Sequence, residues 1–441
     1  MDIPVRGGND TMKKSLLLVA MSVGVVSFAA PVHDGAAVIA QDDASNVTIT
    51  YGIKDEPAIV TVDIQTNSPI GWLSIDQTWL TNVTGDVNKK VDVGTDKKIF
   101  WKPADTISGR FRVKDVRAVV TLHATNAPPD YVVLDLSVET AAGRDSARFY
   151  PNAEQIPFGV TNRIYKTRYY VMRRMHAAGK PWAMGTTLRD TEKTDNEIRH
   201  LVALPNDYYI GIYEVTQGHM KAVGLESAVS AQCNTGVANA DYCPAAGYGA
   251  SKGITYINIR GGNNWPEAKD HSFVNTWAYL QYFRKSVGEK CLIDIPTDAQ
   301  WEYAARAGEF SAIYSHGKNS SEGFGAYAWC KSTVPQGTTI QEVGTRLPNK
   351  WGLYDMFGNV CEWCLDNFRY DCGMSIVGYD AVDFVGPVSD YNNGAERKVV
   401  RGGSYDDSID KMRNSFRSHI GRSGTTPIVG YRLVMQSVYP Y

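Results

Sequence analysis

The sequence predicts an α+β protein in which a β-sandwich is followed by a loop-rich domain. Up to about residue 145, apolar and polar residues alternate in short runs, as in strands that bury one face. From about residue 181, short helical patterns stand among long stretches rich in glycine and aromatic residues. The chain has 441 residues, which is enough for two or three domains with their own cores.

The N-terminal region, residues 46–145, is interpreted as an immunoglobulin-like β-sandwich that serves as an accessory module. Its alternating runs are separated by clusters of Asn, Gly, Pro and Asp, which favour turns. The runs are 47–51, 59–64, 111–113, 118–122 and 131–136. Their polar residues form no catalytic grouping, so we expect no chemistry in this module.

Residues 146–180 predict a connector, and residues 181–441 predict the second domain. Three helices are expected in this domain, each ended by a glycine. The first is capped by Thr216, and the third opens with a capping box between Thr297 and Gln300. The glycines that end the three helices are Gly224, Gly288 and Gly308. Long loops between so few elements favour an external constraint such as a bound metal ion.

The N-terminus, within residues 1–40, has the pattern of an export signal. Lys13 and Lys14 precede an apolar run over 16–28 that is too short to span a bilayer. No later stretch is long and apolar enough to do so. We therefore expect a protein that is exported to the periplasm, the cell surface or the medium, with no membrane span in its mature chain.

The overall charge and the motif content exclude several function classes. The 45 lysines and arginines nearly balance the 47 aspartates and glutamates, so no basic surface for nucleic acid or anionic lipid is predicted. The chain has no nucleophile elbow of a serine hydrolase and no P-loop.

All seven cysteines lie in the second half of the chain. In an oxidising compartment some of them pair, and the odd number leaves at least one unpaired. Cys233 and Cys243 bracket a small polar loop and form the first predicted disulfide. Cys361 and Cys364 have the spacing of a redox motif but lack the flanking βαβ pattern, so packing or ordinary pairing is favoured.

The stretch 351–363 concentrates aromatic residues, glycines and two carboxylates seven positions apart. Asp355 and Glu362 offer negative charge to a hard cation such as calcium, and the backbone oxygens of Gly358 and Val360 complete a shell. A buried aromatic turn with two solvated acids explains the same spacing, and spacing alone favours it.

A series of ordered motifs resembles the sulfatase-modifying factor family, whose founding members are formylglycine-generating enzymes. The motifs are Met184-Gly185, 213–217, 295–306, 351–363, 401–405 and 430–434. The resemblance covers about residues 181–436 and implies a C-type-lectin-like, loop-rich fold with bound calcium. It places Asp355, Gly358, Val360 and Glu362 on one family calcium site. A second family site needs a longer segment before Val343 than this chain has.

The catalytic segment departs from the family pattern. Active members use two cysteines after the Gly-Gly-Ser-Tyr motif to bind copper(I) and to oxidise a sulfatase cysteine. The matching positions here are Asp407 and Met412. A hard carboxylate and a lone thioether do not replace a pair of soft thiolates. We therefore expect neither copper binding nor the oxidase chemistry, and we assign no catalytic residues.

The first functional hypothesis is a calcium-stabilised recognition module for a peptide or a glycan. Polar residues of the former catalytic segment form its candidate ligand site. They are Asp406, Asp407, Asp410, Arg413, Arg417, His419 and Arg422. Two alternatives remain open here, namely an exposed loop without a ligand and arginines that only bind loop carbonyls.

The second hypothesis is an enzyme, either a formylglycine-generating oxidase with unusual ligands or an iron-dependent oxygenase acting on a cysteine or thiol. It requires a metal-binding constellation. The histidines show no paired ligand spacing, and the thiol cluster that remains is Cys361, Cys364 and Cys372. These cysteines lie at the calcium-like loop rather than in the usual catalytic segment, which disfavours the hypothesis.

Overall fold

The computed structural model describes residues 30–108, 116–137, 146–187, 189–229, 239–247, 253–261, 274–288, 292–370, 380–382 and 397–436. Within these residues the chain is mostly β with few helices, which agrees with the predicted α+β class. The predicted signal region before residue 30 and Cys233 lie outside the described residues. No helix in the described ranges is long and apolar enough to cross a membrane.

The N-terminal module consists of two antiparallel sheets. Its strands are β1 Val32–His33, β2 Val38–Gln41, β3 Val47–Lys54, β4 Ala58–Ser68, β5 Gly71–Ser74, β6 Thr84–Gly85, β7 Lys90–Val91, β8 Gly94–Trp101 and β9 Val116–Ala124. One sheet runs β1-β3-β8-β6 with β2 beside β3, and in the other β4 pairs with β5, β7 and β9. Ile49 and Trp101 of the first sheet share a core with Val60 and Ile64 of the second. The immunoglobulin-like topology stays a prediction.

The second domain contains the remaining strands and all described α-helices. The strands are β10 Tyr131–Asp135, β11 Ala147–Tyr150, β12 Tyr169–Met175, β13 Pro181–Met184, β14 His200–Ala203, β15 Tyr208–Gly211, β16 Ile293–Asp294, β17 Cys361–Asn367, β18 Asp380–Val382, β19 Arg397–Arg401, β20 Arg417–Gly421, β21 Val429–Gly430 and β22 Val434–Gln436. The helices are α1 Gln217–Ala222, α2 Glu226–Val229, α3 Tyr256–Arg260, α4 Tyr279–Val287 and α5 Asp298–Arg306.

A six-stranded antiparallel sheet runs through this domain in the order β11-β10-β12-β15-β22-β16. Because side chains alternate across a strand, the sheet divides the domain core into two clusters, with Met172 in one and Val171 in the other. Strand β10 was assigned to the sandwich from its alternation, and β12 lies in the predicted connector. Alternation reveals that a strand has a buried face but not which neighbour it pairs with, so these sheet memberships were not predicted.

The helix ends follow the predicted local signals. Thr216 caps α1 in a reciprocal capping box with His219, and Thr297 caps α5 in the predicted box with Gln300. Helix α4 ends at Gly288 as expected. These signals were readable because each cap involves residues only three positions apart.

A four-stranded sheet, ordered β20-β19-β17-β21, positions the candidate site. The segment 351–360 leads directly into β17, which carries Glu362. Strand β19 ends at Arg401, and β20 begins at Arg417. The segment that contains Asp407 and Met412 therefore connects two neighbouring strands of this sheet.

Candidate functional site

Asp355 is a buried carboxylate with one unsatisfied oxygen. Asp355 is 2% exposed, and its backbone lies in the left-handed region with φ of 51°. Its Oδ2 accepts a hydrogen bond from the backbone N–H of Gly344 at 2.6 Å, whereas Oδ1 has no partner among the described residues. Burial raises the pKa of Asp355 to about 6. A bound cation would coordinate the unpaired Oδ1 and would neutralise the negative charge of the ionised carboxylate.

Glu214 is a second buried acid beside this loop, and sequence reasoning did not assign it a role. Its oxygens accept from the backbone N–H of Val360 at 3.1 Å and from the side chain of Asn359 at 2.8 Å. Burial, followed by the charges of Asp355 and Glu362, raises the pKa of Glu214 well above its usual range. An acid between Tyr213 and Val215 was the signal that could have identified it.

Glu362 is committed to an arginine rather than open to a metal ion. Arg432 donates to its two oxygens at 2.7 and 3.1 Å, and the Trp301 indole N–H donates to Oε2 at 2.7 Å. These bonds use the acceptor positions of the carboxylate. The sequence hypothesis that Glu362 lends an oxygen to calcium therefore disagrees with the arrangement in the structure.

Gly358 and Val360 lie in the loop that the sequence assigned to calcium binding. Gly358 has φ of 74°, and a Cβ there would lie 2.1 Å from the backbone oxygen of Trp329, so only glycine fits. Among the described residues, no group of three or more His, Cys, Asp or Glu side chains is arranged to hold a metal ion. The fit to calcium thus rests on the Asp355 carboxylate and on backbone oxygens.

Both former catalytic positions have structural contacts. Asp407 Oδ2 accepts from the backbone N–H and the hydroxyl of Ser404 at 3.0 and 2.7 Å, and Lys411 donates to Oδ1 at 2.7 Å. Met412 is completely buried, and its thioether packs against the backbone of Gly403. The Asp407 side chain thus stabilises a turn, and the Met412 side chain fills part of the core.

Two of the predicted ligand-binding arginines are buried in ion pairs. Arg413 contacts Asp190 at 2.7 Å and Glu197 at 2.6 Å. Arg417 donates to Asp298 at 2.7 Å. These arginines connect distant loops, so they are unavailable to an external ligand. The alternative that they hold the fold together describes their contacts in the structure.

The other candidate ligand residues remain closer to the surface. Asp406 is exposed, with Lys331 3.9 Å away, whereas Asp410 and Arg422 are half-buried. His419 is half-buried on β20, with its ring 4.4 Å from that of Phe368. Burial, together with the charge of Arg397, lowers the pKa of His419. The predicted polar cluster is therefore divided into an accessible part and a buried ion-paired part.

The cysteines of β17 do not form a common thiol site. Cys361 packs in one core cluster and Cys364 in the other, because residues three apart on a strand face opposite sides. Burial raises the pKa of both thiols. Cys372, the third member of the predicted cluster, lies outside the described residues, as does Cys233. The predicted pairing of Cys233 with the buried Cys243 stays a prediction.

A buried network of charges lies beside the former catalytic segment. Arg401 donates to Asp298 at 2.5 Å and also contacts Glu302. Nearby Asp366 is 1% exposed and accepts from the backbone N–H of Asp298 at 2.6 Å, while its Oδ1 has no partner among the described residues. Burial, followed by the charge of Asp298, raises the pKa of Asp366 to about 7. The network fixes the sheet under the segment.

The chain is similar to proteins of known families over its second domain. Residues 177–437 match the family described as "Sulfatase-modifying factor enzyme 1-like domain". A formylglycine-generating enzyme of Streptomyces coelicolor is 30% identical over 200 residues, which cover 40% of this chain and 59% of that protein. The "Inactive C-alpha-formylglycine-generating enzyme 2" of Mus musculus is 28% identical over 141 residues, or 30% of this chain and 38% of the relative.

Among solved structures, Treponema denticola variable protein 1 is 23% identical, with a TM-score of 0.45. The alignment covers 61% of this chain and 95% of that protein. This chain spans only between 22% and 59% of the length of several curated relatives. In this chain the similarity to the family described above covers residues 177–437.

Proposed function

Since the chain belongs to the sulfatase-modifying factor family, with the family domain at residues 177–437, we propose that it is an exported, non-catalytic member that recognises a peptide or a glycan. The observation that carries the proposal is the role of Asp407 and Met412. Both side chains support the local structure at the positions where active members hold copper. The existence of relatives named as inactive agrees with such a loss.

The chemical argument concerns ligand softness and geometry. Copper(I) prefers thiolates, whereas the Asp407 carboxylate is hard and is already bonded to Ser404 and Lys411. The Met412 sulfur is fully buried in the core. Binding copper at this place would require both side chains to leave their present contacts.

Calcium is proposed as a stabilising ion at the loop before β17. Asp355 supplies the charged oxygen, and the backbone oxygens of Gly358 and Val360 supply neutral ones. Glu362 forms an ion pair with Arg432 and is not proposed to coordinate the calcium ion. The unsatisfied Oδ1 of Asp355 supports this assignment. A hard, oxygen-bound ion of this kind constrains loops without catalysing a reaction.

The proposed recognition surface is the accessible part of the polar cluster. It contains Asp406, Asp410, His419 and Arg422, while Arg413 and Arg417 hold the segment from beneath. Carboxylates, an imidazole and a guanidinium offer both donors and acceptors, which suits the amides of a peptide or the hydroxyls of a glycan.

One experiment tests the loss of catalysis. The purified protein is incubated with copper, oxygen and a peptide that carries a sulfatase-type Cys-x-Pro-x-Arg sequence, and mass spectrometry follows the peptide cysteine. We expect no aldehyde, while an active family enzyme in the same buffer converts the peptide. Conversion by this protein would overturn the proposal.

A second experiment tests recognition directly. The protein is screened against glycan and peptide arrays, and each hit is repeated with His419→Ala and Arg422→Ala. We expect these variants to weaken binding, while Arg163→Ala, a change at an exposed residue that pairs with Glu342, leaves it unchanged. Equal binding by all variants would remove this surface from the proposal.

A further inference from the structure

A cavity of about 140 Å³ lies where the N-terminal module meets the edge of the six-stranded sheet. Residues of β10 and β11, with Tyr169 of β12, form one wall, and Pro157, Phe158, Ile164 and Tyr165 form the opposite wall. The backbone of Thr81 supplies the contact from the N-terminal module, where its oxygen accepts from Arg148 at 2.9 Å. The cavity is distant in sequence from the family motifs and from the proposed recognition surface.

Strand alternation explains which side chains reach the cavity. In β11, Arg148 and Tyr150 line it, whereas Phe149 between them packs in the core. In β10, Val133 and Asp135 line it, and register pairs Val133 with Arg148. One face of a regular sheet therefore presents these four side chains, and their positions do not depend on the conformation of a loop.

The cavity contains a buried hydroxyl without a partner. Ser146 is 4% exposed, lines the cavity, and its Oγ has no hydrogen-bond partner among the described residues. Buried hydroxyls are nearly always hydrogen-bonded, because their desolvation is otherwise uncompensated. Because Ser146 lines the cavity, a polar group bound there would supply the missing hydrogen-bond partner.

Fixed aromatic rings form much of the remaining wall. Tyr165 and Tyr169 have ring centres 6.0 Å apart, and the Tyr165 hydroxyl donates to the backbone oxygen of Pro157 at 2.5 Å. Tyr150 lines the same cavity. Tyrosine rings provide flat contact area at little entropic cost and pack well against the C–H faces of a ring.

The charges around the cavity select among ligands. Arg168 donates to both oxygens of Asp135 at 3.2 and 2.9 Å, and Ser137 donates to Oδ1 as well, so the exposed Arg168 is the more accessible partner of this pair. Arg148 adds a second guanidinium, so two positive charges face one negative charge. This excess disfavours a cationic ligand and favours one with a single negative charge.

We propose that this cavity binds one pyranose ring, and that a uronate is preferred to a neutral sugar. The cavity of about 140 Å³ is close to the about 150 Å³ of an engineered cavity that holds one benzene ring, so it takes a single six-membered ring whose substituents extend through the open side. The sugar hydroxyls would satisfy Ser146 and the Arg168–Asp135 pair, and its C–H faces would pack on the tyrosines. The inference does not rest on the proposed recognition surface.

The test is calorimetric titration of the full-length protein with glucuronate, glucose and glucosamine, together with phenol as an aromatic probe. We expect glucuronate to bind most tightly and the protonated glucosamine most weakly. Tighter binding of phenol than of every sugar would indicate an aromatic side chain as ligand and would overturn the proposal. The proposal would also be overturned if none of the three sugars binds.

Two variants and a control locate the site. Ser146→Ala is expected to weaken all sugar binding about threefold to tenfold, as loss of one hydrogen bond predicts, without lowering the melting temperature. Arg168→Ala is expected to weaken glucuronate binding more than glucose binding. Arg163→Ala changes an equally exposed arginine that does not line the cavity and should have no effect. Unchanged sugar binding in both cavity variants would overturn the assignment.

Discussion

The guanidinium of Arg432 lies against the carboxylate of Glu362, with its Nη2 2.7 Å from Oε1 and its Nε 3.1 Å from both oxygens. Arg432 also donates to the backbone oxygens of Gly211 and Tyr354 at 2.8 Å each. Both side chains are essentially inaccessible to solvent. This pair therefore connects β17 to the six-stranded sheet and neutralises one of the acids beside the proposed calcium site.

Replacing Arg432 with leucine should destabilise the protein strongly. The change leaves Glu362 buried without its counter-ion, and breaking a buried pair in this way costs about 3–5 kcal/mol of unfolding free energy. Urea denaturation measures the loss. Arg163→Ala, which breaks an exposed pair with Glu342, should cost no more than about 1 kcal/mol. Similar costs for both variants would contradict the structural role of Arg432.

Asp355 should make stability depend on pH. Its pKa is about 6 in the folded protein and 3.8 ordinarily, so the folded state holds the proton more tightly. Stability is therefore expected to fall as the pH rises from 4 through 6, by on the order of 1–3 kcal/mol. Denaturation curves across this range, without calcium, measure the slope, and Asp355→Asn should reduce it. An unchanged slope in the variant would exclude Asp355 as its cause.

Calcium should oppose this loss of stability. A cation near Asp355 favours the ionised carboxylate, so added calcium should raise the melting temperature more at pH 7 than at pH 4.5. Magnesium, which prefers a stricter octahedral geometry, serves as the comparison ion. Asp355→Asn should abolish most of the effect. Equal stabilisation of the variant by calcium would place the ion elsewhere.

Asp366 provides a second pH-dependent contribution. Because its pKa is raised to about 7, its contribution to stability declines as the pH rises from 4 through 7. Asp366→Asn removes the buried charge, so the variant should be more stable than the natural protein at pH 8, with a smaller difference at pH 5. Asp406→Asn alters an exposed acid and should change stability at neither pH. If Asp366→Asn is less stable than the natural protein at pH 8, the surrounding residues stabilise the ionised form of Asp366, which would contradict this prediction.

Restoring the family cysteines should not restore a copper site. In the double variant Asp407→Cys, Met412→Cys, the new thiol at position 412 lies in the buried core. The turn at Ser404 also loses the carboxylate that accepts its hydrogen bonds. We expect lower stability and a copper(I) affinity no greater than that of either single variant. Competition with a coloured copper(I) chelator measures the affinity. A large gain in the double variant alone would show that only the ligands were lost.

Local features were predictable from the sequence, and long-range pairings were not. The caps at Thr216 and Thr297 were foreseen because each depends on residues three positions away. The motif around Glu362 was located, whereas its ion pair with Arg432, which lies 70 residues further on, was not predicted. Spacing shows that an acid is present, whereas only the fold decides which charge lies opposite it.

The same reasoning applies to the ligand cluster and the cysteines. Arg413 was grouped with polar residues near it in sequence, but its partners Asp190 and Glu197 come from more than 200 residues earlier. The Cys361–Cys364 spacing is that of a redox motif, but the missing βαβ pattern favoured packing or ordinary pairing, and the strand places the two thiols in different core clusters. In each case the sequence located the residues, whereas their partners and orientation depended on tertiary contacts.

Half of the six-stranded sheet, strands β10 to β12, comes from residues that precede the family match at 177–437. The boundary of the family match thus does not coincide with the boundary of this sheet. A fragment cut at residue 177 would expose the backbone of β15 as a new sheet edge, and such edges promote aggregation. A fragment designed to keep the family domain folded should therefore begin before β10 rather than at residue 177.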